Sequence, residues 1–262
     1  MIVSDLDATL LRSDFTISND TLAVLSRVHE LNIPFVIATG RALGTWQPMI
    51  QRLPVRDPVI TANGALITKP GSYDPLAEWP LSPSDLADAI GRLRATHGDV
   101  TCGVERGIEL LHEPGYRPAT WVPNRITRQV STRELVAEPA HLLRIQSRTT
   151  DLTTVATVND LRLSVTLSSA TSAEAVADTV SKATAAAWLT HHYGIAATEV
   201  LAFGDFTNDV ALLKWAGHGV AVGNACDDAI TAADEVTASC DDDGVARYLR
   251  PIIERTADDR RN

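Results

Sequence analysis

The chain has no long apolar run. No stretch near the ~18 residues a membrane-crossing helix needs goes unbroken by polar side chains. A basic n-region with an apolar h-region is missing too. Ile2-Val3 reads at once as a strand and two aspartates follow, so neither secretion nor membrane spanning is expected, and a cytoplasmic setting is. Positive charge is short: 23 Lys plus Arg face 33 Asp plus Glu, a formal net charge of −10. Without a basic cluster this excludes a general nucleic-acid binder, so any anionic ligand must be met by a local site. Cysteine is scarce. Cys102, Cys226 and Cys240 are odd in number, lack metal-ligand spacing and read as inert thiols of a reducing compartment. Lysine is as scarce: only Lys69, Lys182 and Lys214 occur. Internal repeats and low-complexity segments are absent, and nothing marks an obligate protein partner.

What is present has a globular balance, 45% hydrophobic and 21% charged, over 262 residues. That is enough to bury a core without metal or disulfide staples, as one large or two modest domains. Met1 to Leu6 reads as a buried strand. Ser18 caps a helix with the stripe Leu22, Leu25, Val28 and Leu31. Pro34 to Ala38 is a second strand, and a helix from about Ala42 to Leu53 is bent or shortened by Pro48. Pro58 to Thr61 is a third strand. This alternation predicts a doubly wound, Rossmann-like parallel sheet. Val200 to Phe203 and Gly219 to Val222 resume it, followed by helices at Asp227–Ala233 and Val245–Ile253 and a frayed tail from Thr256. Between them a helix over Ser84–His97 precedes strand candidates at 107–111, 142–146 and 161–167. The alternation Leu161, Leu163, Val165, Leu167 suggests a half-exposed antiparallel sheet. The expected organisation is a core of residues 1–79 and 181–262 with an inserted α+β domain over 80–180.

Four presumed strand ends carry polar residues: Asp5 and Asp7; Thr39, Gly40 and Arg41; Asn63 and Gly64; and Gly204 to Asp209. One aspartate alone reads as readily as a helix cap or a turn residue. Four clusters at one edge of a parallel sheet point instead to a ligand site. Asp5 and Asp7, two apart, would face the same way on a plain strand. With Asp205 they bring together three carboxylates, whose mutual repulsion a hard divalent cation such as Mg²⁺ relieves. Mg²⁺ beside a free carboxylate, a lysine and hydroxyl or amide donors fits phosphoryl transfer, with a carboxylate able to attack phosphorus itself.

Asp-Leu-Asp-Ala-Thr-Leu-Leu at 5–11 resembles the first motif of the haloacid dehalogenase superfamily. Ala-Thr-Gly-Arg at 38–41 resembles the second, Val-Ser-Lys-Ala-Thr-Ala at 180–185 the lysine motif, and Gly-Asp-Phe-Thr-Asn-Asp at 204–209 the acidic motif. Asn63-Gly64-Ala65 and Gly219 to Ala225 resemble the Cof-type capped subgroup. The resemblance implies Asp5 as nucleophile and Asp7 as general acid/base. It implies Thr39, Gly40, Lys182 and Asn208 around the phosphoryl group, with Mg²⁺ at Asp5, Asp7 (through its carbonyl), Asp205 and Asp209. Arg41 and Asn63 are weaker candidates for substrate contact. Ala8 stands where the family has glycine, and a methyl there crowds the turn if φ is positive. Ala173 to Thr179 is a strand in relatives, although its propensity here reads as helix.

His191-His192 read as capping or surface residues, Asp241-Asp242-Asp243 as a solvated loop, and Trp121 and Trp188 as packing. The expected function is Mg²⁺-dependent hydrolysis of a small phosphorylated metabolite resembling a sugar phosphate. A phosphotransferase or mutase on the same core and a non-catalytic regulatory protein are the alternatives. Arg106, Arg117, Arg125 and Arg144 are candidates for a second anionic group of the substrate.

Overall fold

A computed structural model describes residues 1–50, 53–119, 122, 125–149, 151–157 and 162–259. Trp121 and Leu161, singled out in the sequence, lie outside them. The elements in chain order begin β1 (Ile2–Ser4), α1 (Asn19–Glu30), β2 (Phe35–Ala38), α2 (Leu43–Ile50), β3 (Val59–Thr61), β4 (Leu66–Thr68) and β5 (Pro75–Glu78). Next come α3 (Pro83–Thr96), β6 (Thr101–Arg106), β7 (Glu109–His112), β8 (Ile126–Gln129), α4 (Thr132–Leu135), β9 (Leu142–Gln146), β10 (Leu163–Ser169) and β11 (Ser172–Ala177). The chain ends with α5 (Lys182–Tyr193), β12 (Leu201–Gly204), α6 (Val210–Trp215), β13 (His218–Ala221), α7 (Asp227–Ala232), β14 (Glu235–Val236) and α8 (Gly244–Asp259). Among the described residues no helix is long and apolar enough to cross a membrane.

Two compact units result. The first comprises Met1–Thr39, Ile50–Ile60 and Lys182–Asn262. Its strands run parallel in the order β14-β13-β12-β1-β2-β3. β1 and β2 are buried on both faces, as their unbroken apolar reading requires. Ser18 caps α1 by accepting the Thr21 N–H at 2.9 Å. Of the expected stripe of α1, Leu25, Val28 and Leu31 are buried and Leu22 is half-buried; Thr21 and Val24 are buried beside them, because α1 packs on α8 as well as on the strand after it. α8 runs to Asp259 where a frayed tail was expected. Val245, Leu249, Ile253 and Ala257 recur at helical spacing and all are buried, which carries the helix through Pro251.

The second unit comprises Gly40–Met49 and Thr61–Ser181. Its sheet runs β10-β11-β9-β6-β7-β8, antiparallel except for β7 against β8, which is parallel. α3 packs on one face through Leu86, Ala89, Ile90 and Leu93, against Cys102, Val104, Leu143, Ile145, Ala173 and Ala175. Ser82 caps α3, with Pro83 in its first turn. β6 and β8 were not foreseen. The helical reading of Ala173–Thr179 is corrected to strand β11: Ala173 and Ala175 bury against α3 with period 2, and packing outweighs alanine's intrinsic preference. The hairpin β4–β5 groups with this unit, because Ala62, Ala65 and Trp79 pack with Leu142, Val176 and Val180.

Candidate active site

Register explains the clustering in the first unit. β1 pairs Ser4 with Phe203 of β12 and with Ile37 of β2. The chain direction is common to all three strands, so their C-terminal ends lie side by side. Asp5 follows Ser4, Thr39 follows β2 and Asp205 follows β12. The Asp5 N–H still donates to Phe203 O at 3.0 Å, which fixes the backbone of Asp5 to β12. The strand stops there. Residues 6–10 form a tight turn closed by Leu11 N–H to Leu6 O at 2.8 Å, and Ala8 sits at φ 55°. The expectation that Asp5 and Asp7 share a strand face is therefore corrected: Asp7 lies in the turn, half-buried, while Asp5 is buried.

Lys182 opens α5 and is buried. Its Nζ donates to Asp5 Oδ1 at 2.5 Å and to Asp209 Oδ1 at 2.6 Å. Asp209 Oδ2 accepts the N–H groups of Asp205 and Phe206 at 3.1 and 3.2 Å, so this carboxylate orders the whole acidic loop. Gly204 is required there, since a Cβ on it would lie 2.4 Å from Asp209 Cβ. Thr9 Oγ1 donates to Asp205 Oδ1 at 2.8 Å, and Asn224 Nδ2 holds the turn through Ala8 O at 2.8 Å. The positioning role of Thr9 escaped the sequence reading. Its signal was a hydroxyl two residues after Asp7.

Burial pushes the Asp5 carboxyl well above the usual carboxylate range, although Lys182 pulls it down. Burial, then the charge of Asp209, pushes Asp205 up to about 6. Burial also works against the Lys182 ammonium, but Asp209 and Asp5 more than offset it and its pKa is raised. One carboxylate oxygen from each of Asp5, Asp205 and Asp209 lies within 4.8 Å of the others. Three carboxylates against one ammonium leave two negative charges in a buried place. An all-oxygen donor set with that charge deficit fits a hard divalent cation.

Thr39 is fully buried, with its N–H on Ile60 O at 2.8 Å, and Asn208 is half-buried in the acidic loop. Gly40, Arg41 and Asn63 belong to the second unit and lie together there. Thr61 Oγ1 and the Ala62 N–H donate to Arg41 O, while Asn63 adopts φ 53° and its amide lies against Gly40. Asp241 to Asp243 is not an isolated solvated loop: Asp243 pairs with Arg12 at 3.0 Å and Asp241 accepts the Ser13 N–H and Oγ–H at 2.9 Å. His191 and His192 are exposed, with His192 stacked on the half-buried Trp188 at 5.3 Å. The three cysteines are free thiols.

The chain is 26% identical over 261 residues to a Bacillus subtilis 5-amino-6-(5-phospho-D-ribitylamino)uracil phosphatase, covering 95% of this chain and 96% of that one. It is 27% identical over 263 residues to an HMP-PP phosphatase of Serratia proteamaculans, covering 94% and 92%. A haloacid dehalogenase-like hydrolase of Bacteroides thetaiotaomicron superposes with a TM-score of 0.79 at 27% identity, over 96% of this chain and 98% of that one. The profile of the haloacid dehalogenase-like hydrolases matches residues 2–249, and the chain belongs to that family.

Proposed function

We propose that this chain is a phosphomonoester hydrolase that cleaves a small phosphorylated metabolite through a phospho-Asp5 intermediate. The buried Asp5–Lys182–Asp209 constellation beside Asp205 carries the reading. The two relatives named above, both phosphatases of small phosphorylated compounds, support it.

Asp5, Asp205 and Asp209 would hold Mg²⁺, with the Asp7 carbonyl as a further oxygen. The ion would neutralise charge between the anionic nucleophile and the anionic phosphate. Lys182, together with Thr39, Gly40 and Asn208, binds the phosphoryl oxygens and offsets charge on the transferring group. Asp5 attacks phosphorus as the ester P–O bond breaks, and the Asp7 carboxyl gives its proton to the leaving oxygen. Asp7, now a carboxylate, takes a proton from water. The hydroxide oxygen attacks phospho-Asp5, which releases inorganic phosphate and regenerates the Asp5 carboxylate. Residues 80–180 serve as the insert that sets which ester is accepted.

Inorganic phosphate released from p-nitrophenyl phosphate, with and without EDTA and for wild type against Asp5→Asn, tests the reading. Wild type with Mg²⁺ should turn over, and both the chelated enzyme and Asp5→Asn should lose at least ~10³ in rate. Full turnover in either would overturn it. Phosphate appearing on an added hydroxyl acceptor rather than free would turn the assignment to a phosphotransferase.

A further inference from the structure

The short connection after β13, residues 222–226, touches both loops that carry the carboxylates of the site, and all three segments lie in the first unit. Val222 donates its N–H to Gly204 O at 3.2 Å and Cys226 its N–H to Asp205 O at 2.8 Å, so the connection follows the acidic loop. The Gly223 N–H reaches Ala238 O at 3.1 Å. Glycine is needed for that approach, since a Cβ there would meet Ser239 N at 2.9 Å and Thr237 O at 3.1 Å. Asn224 lies between these anchors and serves the other loop: its Nδ2 donates to Ala8 O at 2.8 Å, in the turn of residues 6–10.

The Asn224 amide is fixed at both ends. Its Oδ1 accepts the Cys240 N–H at 2.8 Å and the Ser239 Oγ–H at 3.2 Å. The Cys240 N–H can only donate and Ala8 O can only accept, so the amide has a single orientation. Ala8 is the strained point of the turn, because it holds φ 55°, where an alanine Cβ is crowded and a glycine is free. That φ sets the direction of the Asp7–Ala8 peptide against the rest of the turn, and with it the Asp7 carbonyl. Thr9, the next residue, is tied across to Asp205 Oδ1 at 2.8 Å. The turn is thus gripped at two successive residues, by Asn224 at the Ala8 carbonyl and by Asp205 at the Thr9 hydroxyl. Asn224 itself is exposed, so it does this without core packing of its own.

We propose that Asn224 is a positioning residue for the reaction. By holding the Ala8 carbonyl it keeps Ala8 at its left-handed φ, and so keeps the backbone carbonyl and the carboxyl of Asp7 turned to the site. It acts through Ala8, not by contact with the substrate. Without it the Ala8 backbone relaxes toward negative φ, and Asp7 is the residue displaced. Asp5 stays in place, because its N–H is held by Phe203 O and its carboxylate by Lys182. The loss therefore falls on the tasks of Asp7. The proposal rests on the phosphatase reading, in which Asp7 is acid and base and its carbonyl a cation ligand.

Calorimetric titration of Mg²⁺ into the full chain, and kinetics on an alkyl phosphate and on p-nitrophenyl phosphate, test it. Asn224→Ala should weaken Mg²⁺ binding about tenfold in the absence of substrate, on the scale of losing a group that orients a metal ligand. Its kcat/KM, which reports the step that cleaves the ester, should fall about tenfold on the alkyl phosphate but at most about threefold on the aryl one, whose leaving group needs less protonation. Ala8→Gly added to Asn224→Ala should recover at least ~threefold of the alkyl loss, because glycine takes φ 55° without strain. Should Asn224→Ala not fold, Asn224→Asp keeps the bonds from Cys240 and Ser239 and loses only the donor to Ala8 O, and the same alkyl-over-aryl deficit is expected of it. A folded variant without that deficit and with wild-type Mg²⁺ affinity would overturn the proposal. So would equal losses on both esters that Ala8→Gly does not relieve, the mark of general loosening. A wild type that binds Mg²⁺ but releases no phosphate overturns the phosphatase reading alone, and the Mg²⁺ affinity of Asn224→Ala then decides whether Asn224 holds the turn.

Discussion

Lys182 Nζ lies 2.5 Å from Asp5 Oδ1 while its own backbone opens helix α5. A cation at a helix N-terminus is opposed by the macrodipole, and burial opposes it further. Asp5 and Asp209 outweigh both, so the ammonium is held charged where a phosphoryl group would need it.

Lys182→Met should therefore damage both stability and turnover. Removing one partner leaves two buried carboxylates unpaired, an effect of about 3–5 kcal/mol in metal-free protein. Phosphate release should fall by ~10²–10³. Denaturant titration and a phosphate assay check the two halves, and a variant within tenfold of wild-type activity would remove Lys182 from the phosphoryl site.

The raised carboxyl of Asp205 sets a pH dependence. An acid whose folded pKa is about 6, against about 3.9 unfolded, binds more protons when folded. Its favourable contribution is full below pH ~4 and lost as pH rises through ~6, so metal-free protein should melt lower at pH 7.5 than at pH 5. Mg²⁺ competes with those protons. It should raise Tm by about 3–6 °C more at pH 7.5 than at pH 5, which corresponds to ~1.5 kcal/mol in a chain of this size. Asp205→Asn should flatten the difference, and an equal Mg²⁺ shift at both pH values would count against a cation among these carboxylates.

Asp7→Asn keeps the backbone carbonyl but not the proton donor and acceptor. Hydrolysis of alkyl phosphates should fall by ~10²–10⁴. An aryl phosphate, with its good leaving group, should still transfer its phosphoryl group, and phospho-Asp5 should accumulate because water is no longer activated. Rapid acid quench with mass spectrometry would detect the adduct. Normal alkyl phosphate hydrolysis would sink the acid/base assignment.

Ala8 holds φ 55°, a conformation costing an L-residue about 1–2 kcal/mol. Glycine adopts it freely but loses more entropy on folding. Ala8→Gly should stabilise the chain by about 0.5–1 kcal/mol, readable as a higher denaturant midpoint, with turnover kept. A lower midpoint would show that the Ala8 methyl makes a contact worth more than the strain.

The core was legible because its signals are local. Unbroken apolar runs at Ile2-Val3, Phe35–Ala38 and Leu201–Phe203 can only be strands buried on both faces. The polar residues that follow each run must then gather at one edge. Strand ends singled out Asp5 and Asp205 in the same way, whereas Lys182 was implied only by the resemblance of residues 180–185 to the lysine motif. The inserted region was less legible. Ala173–Ala177 became a strand against its alanine propensity, and β8, Ile126–Gln129, is exposed along its length and carries no apolar pattern to read.

The sequence by itself determined the chemistry available: which residues carry charge, where the strands end, and that polar residues including Asp5 and Asp205 gather at one parallel sheet edge. Only the tertiary structure decided how they are shared. Asp209 accepts from Lys182 through one oxygen and from the acidic loop through the other, Asp7 sits in a turn rather than on a strand, and Arg144 pairs with two glutamates. The physical reason is range. Strand and turn preferences act over a few residues, whereas hydrogen-bond partners and desolvation of buried charge depend on groups far along the chain, 177 positions away for Lys182 and Asp5 and 196 for Thr9 and Asp205.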